Sequence, residues 1–241
     1  MYWPYISRSI MDRNLGEMNT NNPGSGIGSI WYQFGRKDPF EGGTLYDANG
    51  NNTSKTTIAW NSDAITTKSS DKGKNVPYSV QHPMTFITGT KWTIGDIYCP
   101  IGGGEFMWQD PKAISTADGK VKKSIFDPCP SGWMVPMNSV WSGISMLGNQ
   151  VLENGVGRYY YPDKAKLPNV YVFYPSAHFL NNSNGAVYVD TGTPGWCWSI
   201  SPSAEDAFCL WYRSDSNTSL NISYGSARAR GCSVRCIQEY F

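Results

Sequence analysis

A chain of 241 residues with 20 Lys plus Arg against 19 Asp plus Glu has no bulk field to draw it to nucleic acid or an anionic membrane, so neither is expected as a partner. Charged residues make up only 16% while aromatics reach 14%, with 10 Trp and 15 Tyr, so the surface relies on amides, hydroxyls and rings, closer to a binding protein than to an average cytosolic enzyme. No apolar run reaches the length of a membrane span, and six cysteines are too few for a disulfide-dense scaffold but fit one or two bridges in an oxidising compartment.

The opening MYWPYISRSIMDRN lacks the charged-then-apolar plan of a signal peptide. Tyr2 to Met11 reads as a strand entering a fold, so the chain is expected to be the C-terminal part of a longer one. SIWYQFG (29–35) is the next strand, and the polar stretches Asp47 to Gln81 and Ala113 to Lys123 read as long loops. The best helical signal is MNSVWSGISML (137–147), where Asn138 can cap the first turn and Val140, Ile144 and Leu147 follow at spacings of four and three. Beyond it come YVFYPSAHFL (171–180), AVYVD (186–190), WCWSIS (196–201), AFCLWYR (207–213) and CSVRCIQEY (232–240), all short strand patterns. With 25 Gly and 15 Pro as punctuation, no internal repeat and no break in composition, residues 1–241 form a single irregular α+β domain.

The pair WCWSIS and AFCLWYR is expected to form a hairpin turning near Ser203, with Trp198 opposite Phe208 and Cys197 opposite Cys209. Alternation then puts Trp196, Trp198, Phe208, Leu210 and Tyr212 on a core face. Cys197, Ser199, Cys209, Trp211 and Arg213 fall on the other, where exposed Trp and Arg would make a binding hot spot. The bland alternative covers Trp211 with a neighbouring loop.

Motifs for chemistry are weak. His82 and His178 have no second ligand at metal spacing, and Cys232 and Cys236 have no matching pair, so no metal or other cofactor is expected. C-x-x-C is absent, two histidines leave few bases for a nucleophile, and IGGGEF (101–106) is not followed by a helix that would cradle phosphate. Paired carboxylates for sugar hydrolysis stay a minority reading. Arg228, Arg230 and Arg235 read most simply as solvated or ion-paired residues, and Cys236 as a disulfide candidate whose partner the residues alone leave open.

Five motifs then occur in order: MDRNLGE (11–17), YQFGRKDPF (32–40), DPCPSGWMVP (127–136), WSIS (198–201) and GCSVRCIQE (231–239). Together they resemble the C-type-lectin-like domains at the C-termini of fimbrillin-associated and lipoprotein surface proteins of Bacteroides-type gut bacteria, the major paralogous domain type. The resemblance implies a C-type-lectin-like fold with paired N- and C-terminal strands, and a Cys129–Cys236 disulfide. A narrower resemblance is to the variable proteins of diversity-generating retroelements, whose variable segment ends such a domain. Trp198, Ser199, Ser201, Pro202, Ala207, Leu210, Tyr212, Arg228, Gly231, Ser233, Val234 and Arg235 match that frame, while Cys197 and Ile200 depart from it. By that resemblance the positions between the frame, within about 196–232, touch ligand: Ser203, Glu205, Asp206, Cys209, Trp211, Arg213, Ser216, Asn217, Ser223, Tyr224, Ser226, Arg230 and Cys232.

The function implied is a non-enzymatic display domain, on a bacterial surface, pilus tip or phage tail, that holds a protein or glycan receptor. Two alternatives stand beside it. One is a structural pilin or tail subunit using the same face for assembly. The other is an oxidase of the formylglycine-generating type, a relative of the fold that would use Cys232 and Cys236. No calcium-lectin motif is present, so calcium-dependent sugar binding is not implied.

Overall fold

The computed structural model describes residues 2–3, 8–16, 29–42, 67–69, 75–89, 107–110, 121–142, 150–153, 157–161, 164–188, 194–203, 206–216 and 218–239. These form a strand-rich α+β fold with one α-helix among the described residues. The elements run β1 (Tyr2–Trp3), β2 (Arg8–Ser9), β3 (Ser29–Gln33), β4 (Phe40–Gly42), β5 (Thr67–Ser69), α1 (Asn75–Gln81), β6 (Phe86–Thr88), β7 (Trp133–Met134) and a 3-10 helix (Asn138–Trp141). There follow β8 (Gln150–Glu153), β9 (Gly157–Tyr160), β10 (Val172–Pro175), β11 (Phe179–Leu180), β12 (Val187–Tyr188), β13 (Pro194–Ser203), β14 (Asp206–Arg213), β15 (Leu220–Ser226), β16 (Gly231–Cys232) and β17 (Ile237–Gln238). Three sheets frame the main core, in the orders β12-β11-β16-β3-β4, β10-β9-β8 and β13-β14-β15.

Several elements differ from the sequence reading. Tyr2 to Met11 is no single strand: β1 and β2 fold back antiparallel, Tyr2 opposite Ser9. YVFYPSAHFL breaks in two where Ala177 N–H turns back to the Pro175 carbonyl (2.9 Å) and His178 takes a positive φ of 35°. Helix α1 lies inside the polar stretch read as loop, and Arg36 holds it in place by donating to the carbonyls of Ser79, Pro83 and Thr85. At the expected helix, residues 138–141 are 3-10 and Asn138 is not its cap. The Asn138 amide instead donates to Ser223 Oγ (2.9 Å), and 143–147 lie outside the described residues. The loop glycines of IGGGEF also lie outside them, as does Cys99.

The closing stretch is not a continuous strand. Between β16 and β17 its backbone is shared out among other segments. Ser233 exchanges bonds with Trp196 and Trp198 of β13, while the carbonyls of Val234 and Cys236 accept from Leu15 and Met11 near the other end of the chain. Ile10 bridges Ile237, so N- and C-terminal segments run side by side. Arg228 and Arg235 are fully buried, which corrects the solvated reading: the Arg235 guanidinium lies 4.0 Å from the Tyr174 ring centre and donates to Asn14 Oδ1 (2.9 Å). A bond joins Cys129 to Cys236 (S–S 2.07 Å), the pairing the resemblance implied.

Asp127 organises the turn before β7. Its two carboxyl oxygens accept from Cys129 N–H (2.8 Å) and Val135 N–H (2.9 Å), and the side chain is buried. Burial pushes its pKa up to about 7, outweighing the two N–H groups and Lys123, which favour the anion. Since the folded pKa lies above the ordinary 3.8, the neutral acid is the form the fold prefers. Its contribution is complete below that ordinary value and is lost as pH rises through about 7. Urea midpoints at pH 5 and pH 8 are expected to differ in the parent. Asp127→Asn should flatten that difference while costing about 1–3 kcal/mol, because its amide nitrogen must face an N–H donor. An unchanged pH slope in the variant refutes the assignment.

Candidate functional site

The C-terminal sheet carries most of the expected ligand residues, but its register differs from the sequence reading by one residue. Trp198 pairs with Cys209, Cys197 with Leu210 and Trp196 with Trp211. The cause is a bulge: Trp198 faces Cys209 while Pro202 faces Ala207, leaving Ser199, Ile200 and Ser201 across from Phe208. Ile200, one of the two departures from the frame, is buried in that bulge with its N–H on the Pro136 carbonyl (2.7 Å). A one-residue slip exchanges faces, so Trp196 and Trp198 lie with Cys209 and Trp211 rather than with Leu210 and Tyr212. Phe208 is half-buried and not core.

The two faces have different roles. Tyr212 packs edge-on against Tyr160 and Tyr174 of the β8–β10 sheet and donates to the Pro175 carbonyl. Its ring lies over Gly195, directly across the ladder, where a Cβ would occupy the same space. The opposite face carries a continuous ribbon of rings. Tyr188 stacks on Phe179 (4.9 Å, 27°), Phe179 meets Trp196 (5.0 Å, 61°), Trp196 meets Tyr224 (5.1 Å, 87°) and Tyr224 lies along Trp211 (5.6 Å, 31°). The Arg230 guanidinium rests in the notch between Phe179 (4.5 Å) and Trp196 (4.9 Å) and donates to Ser226 Oγ (3.1 Å). Inner rings are buried; Tyr188 and Tyr224 are 43% and 36% exposed.

The expected ligand residues are not all available. Cys209, Ser226 and Cys232 are buried, so none of the three is open to a ligand, which corrects their assignment. Cys209 shares the face of Trp196 and Trp211 but is covered, its Sγ on the Tyr224 carbonyl (3.4 Å), Ser226 Oγ is taken by Arg230, and Cys232 pairs with Tyr32 in the central sheet. Trp211 and Arg230 are half-buried and Tyr224 exposed, and the ribbon joins them. Ser203 and Asp206 pair at the hairpin tip, roughly 23 Å along β14 from Arg213 at ~3.3 Å per residue. Arg213 is engaged with Asp215 (2.8 Å), and that guanidinium holds the Asp215 carboxyl below its ordinary range. Ser216 belongs to the following turn, and Ser223 Oγ accepts from Asn138. Glu205 and Asn217 lie outside the described residues. The sequence reading missed Phe179 and Tyr188, which reach the ribbon from β11 and β12; the aromatic density of 171–188 was their only signal.

Chemistry based on cysteine finds little support in the geometry. Cys236 is bonded to Cys129, and burial pushes the Cys209 and Cys232 thiols up, so both stay protonated. Cys197 and Cys209, whose pairing the sequence left open, are not bonded to each other. Among the described residues no three His, Cys, Asp or Glu side chains gather as a metal site. No family model matches the chain, and no curated protein or solved structure matches it either.

Proposed function

We propose that this chain is a non-enzymatic ligand-binding domain of C-type-lectin-like fold, displayed on a bacterial surface, pilus tip or phage tail, that holds a protein or glycan receptor on its C-terminal sheet. The observation that carries this reading is the ring ribbon, with its two exposed tyrosines and its seated arginine, laid across strands from separate parts of the chain. Rings fixed by neighbouring rings lose little freedom on binding, which suits affinity built from many weak contacts. The side-by-side terminal segments and the Cys129–Cys236 bridge support the fold assignment.

The test is binding of the purified chain to bacterial cells and a glycan array beside a variant carrying Trp211→Ala, Arg213→Ala and Tyr224→Ala. Binding is expected to fall at least about tenfold, the scale of a lost hot spot, with Tm little changed. Normal binding by a folded variant would remove the site. A structural pilin or tail subunit is the second reading. It uses the same face for assembly, where Tyr188 and Tyr224, exposed on the ribbon, would serve as contacts between subunits. A stable oligomer in size-exclusion chromatography would select it.

A further inference from the structure

Four of the buried tryptophans satisfy their indole N–H inside the chain. Trp31 donates to the Ala177 carbonyl (2.9 Å), Trp108 to Arg36 (3.1 Å), Trp198 to Tyr32 (2.7 Å) and Trp141 to the Tyr174 hydroxyl (3.1 Å). Trp196 is as deeply placed, 5% exposed, yet its Nε1–H meets no acceptor among the described residues. Beside it, Arg230 Nε–H meets none either. Its guanidinium makes one hydrogen bond, to Ser226, and no ion pair among the described residues. Two unsatisfied donors of the same kind and a cation without an anion thus coincide at the centre of the ribbon. Buried donors of that kind call for an oxygen acceptor, and a guanidinium held in place by two rings is pre-organised for a planar anion.

We propose that the face binds an acidic oligosaccharide, with a uronic or sialic carboxylate on Arg230 and sugar rings against Tyr188 and Tyr224. This rests on the ligand-binding reading above and narrows it to one class. The flanking exposed rings are both tyrosines, whose faces take the C–H side of a sugar while their hydroxyls stay wet.

The experiment titrates the 241-residue chain calorimetrically with sialyllactose and trigalacturonate, each beside its methyl ester. The acids are expected to bind at least about tenfold more tightly than the esters, the effect of one charge-assisted pair, and to weaken as salt rises. Arg230→Gln should erase the difference and Arg230→Lys restore part of it. Should Arg230→Gln not fold, the acid–ester comparison on the parent decides alone. Equal affinity for acid and ester overturns the carboxylate assignment while leaving the binding face intact. Binding of a protein receptor but no glycan, abolished by the triple variant, overturns the ligand class only. Cell binding that the folded triple variant retains brings down the binding face and this inference together.

Discussion

Reducing the Cys129–Cys236 bridge is expected to lower the stability of the fold by about 4–5 kcal/mol, the loop-entropy scale for a closed loop of about a hundred residues. The bridge spans 107 positions in sequence, so the reduced unfolded chain gains most of the freedom available to a loop of that length. Its native context raises the stake. On one side, Cys129 N–H is held by Asp127; on the other, the Cys236 carbonyl accepts from Met11 and Ile237 bridges Ile10. Cutting the bond therefore loosens the turn before β7 from the seam where the two ends of the chain meet. Urea unfolding with and without reductant, and of the Cys129→Ala/Cys236→Ala double variant, measures the loss. A difference under about 1 kcal/mol refutes the structural role. Thiol labelling of the native chain supplies the counterpart: Cys197, Cys209 and Cys232 should stay unlabelled because all three are buried. A reactive Cys236 thiol in native protein would instead revive the dithiol oxidase.

What the sequence makes legible here is local alternation. SIWYQFG, WCWSIS and AFCLWYR announce strands because aromatic and β-branched residues recur there between turn signals, and β3, β13 and β14 stand where those patterns lie. Register is decided elsewhere. The bulge at 199–201 exists because Ile200 has a buried berth and its backbone has partners in Pro136 and Gln109, neither adjacent in sequence. The same holds for CSVRCIQEY, whose backbone partners come from 11–15 and 196–198, so no local pattern could show that the strand stops after Cys232. Helix α1 escapes notice because seven residues with Asn75, Val76 and Ser79 as the buried positions make no apolar stripe. Arginine burial is the least visible feature, since Arg is ordinarily a surface residue. Only assembled neighbours such as Tyr174 and Asn14 explain Arg235. The ribbon shares this fate: Trp211, Tyr224 and Arg230 were legible in the C-terminal segment, while Phe179 and Tyr188 join them only through the pairing of β11 with β16.

Arg158 shows how far such a hidden arginine reaches, and Arg158→Met is expected to cost about 3–5 kcal/mol, the scale of leaving several buried neutral acceptors without a donor at about 1–3 kcal/mol each, less what they recover by relaxing. The side chain is 0% exposed on β9, and its donors end on neutral acceptors: Gln150 Oε1 (2.6 Å) and the carbonyls of Arg213 (2.6 Å), Ser219 (3.0 Å) and Ser216. Three of those carbonyls belong to the end of β14 and the turn that leads into β15, so one guanidinium pins that turn to the β8–β10 sheet. Methionine fills much of the volume yet leaves those acceptors buried and bare. Lysine brings three donors on a single nitrogen and cannot span the same set, so Arg158→Lys should recover only part of the loss. The turn carries Arg213 and Ser216, whereas the ring ribbon is held by Trp196 on β13, Phe179 on β11 and Arg230 in the turn before β16, none of which Arg158 touches. Amides of 214–216 and 218–219 should therefore exchange faster in Arg158→Met while Tyr224 keeps its environment. On the proposed binding reading, an Arg213 contribution to binding should weaken before one from Tyr224. A urea midpoint shifted by less than about 1 kcal/mol, or exchange spread evenly over β13 to β15, would mean that the turn is held by its own hairpin and not by Arg158.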